Sequence, residues 1–428
     1  MNNSPMRLLT ARWVFPVTAP PIPDGAVAIR AGEIVAVGPR TQLVADYPDV
    51  DRWDLEDAAL LPGLVNCHTH LELPAGSPAA ADGTFVEWLV GVIERGRQLS
   101  AEVQAACAQA GTRALLESGT TCVGEVTTYG QSLGPLLRAG LRGVVYREIL
   151  GLSPAEAAGR CDAARGDMDR MRQTALGSLL TIGLSPHSPY SLSEALLEGC
   201  NALVGASGIP CCIHAAESRE EGEFLATGGG AIPRRLYPAV GCTAAPPRRP
   251  ARSPIEYLDA LGALTWRPLV IHAVHVDEGD CRRMADRGLR VAHCPRSNAR
   301  LSGGTAPVAD FLRHGIAVGL GTDSLASVPT LDLWDEMRAC LAAHRGQVTP
   351  ADVLAMATLG GARALGLSDR VGSLEVGKQA DLTAVSGRGI TATDPIGALI
   401  LGTQGEDVLV SLVEGEIRHR RLQGAVCG

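Results

Sequence analysis

Residues suited to acid–base or metal chemistry recur just past short apolar runs. His68 and His70 follow Leu60–Cys67, His214 follows Ile209–Ile213, His272 follows Arg267–Ile271, and Asp323 follows Ile316–Gly321. In a strand, residues i and i+2 share a face, so His68 and His70 in HTH would point the same way. Two neutral imidazoles on one face are a natural start for a Zn²⁺ or Fe²⁺ site. Asp323, in GTDS, reads either as a turn or N-cap carboxylate or as a buried one that needs a partner such as a metal ion. With His214 the set becomes three histidines and one aspartate. That ligand count leaves a position open for water on a single ion. The stretch LLTIGLSPHSPY contains no lysine, so the usual bridging carbamate has no candidate and one metal is expected rather than two.

Glu217 lies three residues beyond His214 in HAAE. Hydrolytic removal of ammonia from an amidine-like carbon needs a water deprotonated, a ring nitrogen protonated and an amine protonated. A carboxylate beside the metal could carry those protons; otherwise Glu217 simply opens the charged run ESREEGE. His272, in VIHAVH, is placed to stabilise the attacking water and the tetrahedral intermediate, with His275 as the competing candidate. His187 in SPHSPY and His293 in HCPRSN read as substrate-contacting or structural, and His314, His344 and His419 as structural.

These positions need elements to hold them. Further strands are expected at Thr120–Val126, Leu141–Leu150, Leu179–Ser185 and Leu289–His293. Helical patterns fall between them at Phe85–Leu99, Glu102–Glu117, Leu192–Val204, Glu278–Ala285 and Ala306–Arg313. Ser191 and Glu194 have capping-box spacing. About eight strand–helix units describe an α/β (β/α)8 barrel, whose chemistry sits at the C-terminal strand ends. An open doubly wound sheet is less well supported, because no G-x-G-x-x-G follows a first strand. Residues 1–62 and 371–428 carry short strand-like pieces (Ala26–Arg30, Ile34–Val37, Asp381–Val385, Val408–Val413). They are expected to form one small discontinuous β-sandwich domain beside a barrel spanning 63–370. Ala231–Ser253 reads as a Pro/Gly/Arg-rich insertion.

Composition fits this reading. The chain has 428 residues, 46% hydrophobic and only 4% aromatic, which suits aliphatic parallel strands under helices. A net charge of −8 argues against a nucleic-acid partner, and the basic run Arg248–Arg252 reads as a solvated loop. Twelve cysteines without a C-x-x-C pair, Cys211 and Cys212 being adjacent, suggest reduced thiols. No signal region or apolar run of about 20 residues is present. A cytoplasmic protein without a membrane partner is expected, dimers being the commonest assembly by base rate.

Taken in order, LLPGLVNCHTHLE, SPHSPYS, IHAAE, IHAVHVDE, VAHCPRSN, GTDS and GSLEVGKQADL resemble the amidohydrolase superfamily, in its cytosine/guanine/adenosine-type deaminase branch. The resemblance spans nearly the whole chain. It implies one divalent ion, Zn²⁺ or alternatively Fe²⁺, held by His68, His70, His214 and Asp323. Glu217 would be the proton shuttle, His272 would polarise the attacking water, and Asp323 would also take that water's proton. HTHLE, SPHSPYS and HCPRSNARL are most similar to 6-aminodeoxyfutalosine deaminases of menaquinone biosynthesis, while S-adenosylhomocysteine and methylthioadenosine deaminases share most of these motifs. The implied substrate is an aminated purine nucleoside, with His187 at the ribose and Glu72, Arg147, Glu148 and Arg296 reaching the remainder. Other amidohydrolase substrates (triazines, cyclic amides, guanine-like rings) form a second class. A catalytically dead scaffold is disfavoured, because every ligand and shuttle candidate is present.

Overall fold

The structure, a computed structural model, describes residues 6–76, 84–242, 247, 249–301 and 303–421. The chain opens with Met6–Val14 (β1), Ile22–Arg30 (β2), Glu33–Pro39 (β3), Asp51–Asp54 (β4) and Ala58–Pro62 (β5). Gly63 then turns it into the barrel. A Cβ at Gly63 would lie 2.0 Å from Thr121 Oγ1, so the close crossing there excludes any side chain. The single strand expected over Leu60–Cys67 is therefore two strands belonging to two sheets.

The barrel strands are Leu64–Thr69 (β6), Thr120–Thr127 (β7), Arg142–Ile149 (β8), Leu180–Pro186 (β9), Cys212–Ala215 (β10), Leu269–His272 (β11), Arg290–His293 (β12) and Ala317–Leu320 (β13). β6–β9 and β10–β13 pair as two parallel four-stranded sheets. Parallel bridges Leu184↔Cys211 and Thr69↔Asp323 join the sheets at both seams, which closes the (β/α)8 barrel. These strands are buried along nearly their whole length, as expected where helices cover the outside and side chains fill the inside.

The helices follow the capping rules. Phe85–Gly96 starts at a Thr84–Glu87 capping box and Glu278–Asp286 at an Asp277–Asp280 one. The helix Glu194–Ser207 is capped by Ser193, whose side chain accepts from Leu196 N. Ser191 does not cap it as its spacing suggested; its hydroxyl instead bonds His187 Nδ1 at 2.8 Å.

Leu382–Ser386 (β14), Val408–Val413 (β15) and Glu416–Arg420 (β16) return to the first strands. The sheet order is β16-β15-β14-β5-β1-β2-β3, with β4 on β1. The sheet curls until Ala380 N meets Gly32 O at 2.7 Å and Ile34 N meets Lys378 O at 2.8 Å. Leu9, Val27 and Leu60 from one chain end share a buried core with Leu382 and Val410 from the other. Buried Arg142, opening β8, pairs with Asp381 at 2.8 Å and ties barrel to sheet. All described cysteines are free thiols. No described helix is long and apolar enough to cross a membrane.

Candidate active site

β6 carries His68 near its end and His70 just past it at the barrel mouth, and β10 brings His214 to meet them. His214 Nε2 lies 3.3 Å from both His68 Nε2 and His70 Nε2. Donors held at ~2.0–2.1 Å from one ion stand about 3.3 Å apart at a tetrahedral angle, so these spacings fit a shared cation. The tautomer of His214 fits as well. Its Nδ1 lies 3.0 Å from the carbonyl of His187, which can only accept, so Nδ1 carries the proton and Nε2 keeps a lone pair. Burial lowers all three imidazoles from the ordinary histidine value, His214 well below it with His68 and His187 adding to the effect. Neutral imidazoles are what a metal requires.

Asp323, just past β13, faces the same triangle. Its Oδ1 is 3.5 Å from His68 Nε2 and 4.0 Å from His70 Nε2. Its Oδ2 accepts from Ser297 Oγ at 2.6 Å and Ser327 Oγ at 2.8 Å. Burial pushes this carboxyl up, but the hydrogen bond and charge of His68, with His272 and His70, more than reverse that. Asp323 and His272 both hold positive φ, 62° and 71°, a conformation that non-glycine residues keep only where surrounding contacts enforce it.

Glu217 is buried beside this group, its Oε1 3.4 Å from His272 Nε2. Burial, then the charges of Asp323 and Glu221, raise its carboxyl well above the usual range. Burial lowers His272, favouring its neutral form. Burial thus favours the proton-bearing form of Glu217 and the neutral form of His272 beside a metal-ready triangle.

A cavity of about 460 Å³ opens from His70, His214, Glu217, His272 and Asp323, within the range that takes a drug-sized ligand. Its outer wall comes from Phe85, Trp88 and Ile93 of one helix and from Leu236, Tyr237 and Val240. The latter three belong to the insertion, so its described part walls the pocket. Tyr237 is anchored through its hydroxyl to Tyr190 O at 2.8 Å. Arg248 lies outside the described residues.

The five polar positions expected to reach the substrate divide. Glu148 and His187 line the cavity, with Glu148 Oε2 accepting from Thr128 Oγ1 at 2.6 Å. Glu72 does not line it. Its carboxylate accepts from the backbone N–H of Thr128 (3.0 Å), Tyr129 (2.9 Å), Gln131 (2.6 Å) and Ser132 (3.2 Å), pinning the loop after β7. Arg147 points outward to Asp167 at 3.0 Å. Arg296 is tied to buried Glu336 at 2.6 Å and to Asp335 at 2.9 Å. Sequence reasoning missed Arg97 and Arg160, which stand on the cavity wall without occupying strand ends.

Comparisons with known proteins agree with this architecture. A model of the "Amidohydrolase family" matches residues 59–418, and one of an imidazolonepropionase-like bacterial composite domain matches 25–49. The chain is 33% identical over 417 residues to a 5-methylthioadenosine/S-adenosylhomocysteine deaminase of Syntrophobacter fumaroxidans, covering 93% of this chain and 89% of the relative. It is 33% identical over 370 residues to an aminodeoxyfutalosine deaminase of Deinococcus radiodurans, covering 84% and 86%. Among solved structures, a zinc-bound adenosine deaminase from Xanthomonas campestris superposes with TM-score 0.79 at 28% identity, over 96% of this chain and 92% of that one.

Proposed function

The chain belongs to the amidohydrolase family, and on that premise we propose that it is a hydrolytic deaminase exchanging the 6-amino group of an adenine nucleoside for oxygen. The favoured substrate is 6-amino-6-deoxyfutalosine. The observation that carries the reaction is the pairing of Glu217 Oε1 with His272 Nε2 at 3.4 Å beside three imidazoles spaced to share an ion.

His68, His70, His214 and Asp323 would hold one divalent ion, zinc being favoured by the zinc-bound relative. When bound, such an ion lowers the pKa of water enough to supply a nucleophile near neutral pH. The chain's own groups do the remainder. Asp323 takes a proton from the attacking water as its oxygen bonds to C6, and His272 Nε2 holds that water in line. Glu217 delivers its proton to the neighbouring ring nitrogen. Protons returned through Glu217 then reach the amino group, which departs as ammonia. Glu148 and His187, on the cavity wall, are placed to hold the ribose.

The apolar outer wall and Arg97, which spends one nitrogen on Ala239 O at 3.0 Å, suit an aryl carboxylate extension better than an unsubstituted nucleoside. Arg160 is already paired with Glu156 at 2.6 Å. Methylthioadenosine or S-adenosylhomocysteine is the second reading, favoured by the deaminase that matches 93% of this chain. Ammonia release from aminodeoxyfutalosine, methylthioadenosine, S-adenosylhomocysteine, adenosine, guanine and cytosine decides between them. The proposal expects the highest kcat/KM on aminodeoxyfutalosine. A preference for a thio-nucleoside keeps the reaction and moves the substrate, and silence on all six moves the protein to another amidohydrolase chemistry.

A further inference from the structure

Behind His272 a chain of buried polar side chains runs away from the cavity into the barrel wall. His272 Nδ1 lies 2.8 Å from Asn298 Oδ1. Asn298 Nδ2 lies 3.3 Å from His293 Nδ1, and His293 Nε2 lies 3.4 Å from His344 Nε2. None of Asn298, His293 or His344 is more than 3% exposed, and none has a role in the mechanism above, which Asn298 meets only through His272.

The polarity of this chain is determined at each link. An amide oxygen only accepts and an amide nitrogen only donates. With Oδ1 of Asn298 on His272, the proton of the neutral ring must sit on Nδ1, which leaves a lone pair on Nε2. The other end of the amide donates to His293 Nδ1. Burial, together with His344 and His272, holds His293 neutral by lowering it to about 3. Its one proton is then on Nε2, facing His344. Reversing the amide would reverse every link and put a proton on His272 Nε2, where a hydrogen bond from the water must be accepted.

His293, His344 and Cys340 also lie close enough to share a cation. A histidine that ligates through one nitrogen donates its other N–H to an acceptor. Here the second nitrogen of His293 faces an amide donor instead, so the cluster fits a hydrogen-bonded relay better than a metal site.

We propose that Asn298 and His293, backed by His344, are positioning residues that fix His272 in its Nδ1–H tautomer and aim its Nε2 lone pair at the reacting water. This deepens the reading above and rests on its placement of His272 at that water.

The first test is ¹⁵N NMR of the ring nitrogens of His272 in the metal-loaded protein. It should show a protonated Nδ1 and a bare Nε2; the opposite tautomer would overturn the proposal. This measurement needs no substrate, so it stands apart from the substrate assignment. The second test is kinetic, on whichever nucleoside the wild type deaminates. His293→Leu frees the amide to turn, so kcat should fall about tenfold or more with KM and metal content unchanged. Adding Asn298→Asp should restore most of that loss, because a carboxylate accepts from His272 Nδ1–H in either orientation. A cavity left by His293 would not be repaired in this way. Unchanged kcat in His293→Leu, a loss that Asn298→Asp does not rescue, or the disappearance of a second metal equivalent would each refute the relay.

Discussion

Glu217 Oε1 lies 3.4 Å from His272 Nε2, although Glu217 follows β10 and His272 ends β11. The same burial moves them in opposite directions. It raises Glu217 toward its protonated form and lowers His272 toward its neutral form. Both shifts favour an acid beside a hydrogen-bond acceptor, which is the division of labour that proton shuttling requires.

Replacing Glu217 by Gln keeps the shape and removes the transferable proton. We expect kcat to fall by about 10²–10⁴ with metal content unchanged, read by steady-state turnover alongside elemental analysis. Near-wild-type kcat would remove Glu217 from the reaction.

Asp323→Asn should reduce both metal retention and rate. The amide loses the negative charge facing His68 and His70, and it can present a donor where Ser297 and Ser327 already donate. Full metal content with full activity would place Asp323 outside the site.

The buried Arg142–Asp381 pair bears on stability rather than chemistry. Asp381 Oδ2 accepts from Arg142 Nε at 2.8 Å, and Oδ1 from Arg142 Nη2 at 3.2 Å. Arg142→Met leaves a buried carboxylate without its cation, and loss of one partner from such a pair costs about 3–5 kcal/mol. Urea unfolding of wild type and variant measures it; a change below about 1 kcal/mol would show that the junction relaxes around the gap.

Glu221 supplies a pH signature. Its carboxylate accepts from Glu217 N at 2.9 Å, yet burial still raises its pKa to about 8. A carboxyl raised in the folded state binds more protons folded than unfolded, so its contribution is intact below the unfolded pKa and is lost as pH climbs toward about 8. Glu221→Gln does not titrate. The variant should therefore gain stability relative to metal-free wild type between pH 5 and pH 8, and a pH-independent difference would contradict the shift.

Much of the centre was legible because chemistry in this fold concentrates at strand ends. His68, His70, His214, His272 and Asp323 stand at the positions that the apolar runs marked. What a strand end does not reveal is the direction of the side chain. Arg147 and Glu148 are consecutive in β8, so alternation allows only one of them to enter the barrel; it is Glu148, and Arg147 leaves for Asp167. Glu72 and Arg296 were read as substrate contacts because they sit at strand ends or loops, but their partners come from residues 128–132 and 330–336. No local pattern announces contacts that distant. Arg97, Trp88 and Tyr237 were missed for the same reason, since helix and loop packing brings them to the cavity.

The central claim is hydrolytic deamination at a one-ion site, and metal titration tests it most directly. The purified protein would be stripped with a chelator, returned zinc in steps, and assayed for ammonia release from the best nucleoside substrate. The account predicts no release from the stripped protein and a linear recovery that saturates at one equivalent per chain. Full activity without metal, or a requirement for two equivalents, would contradict it.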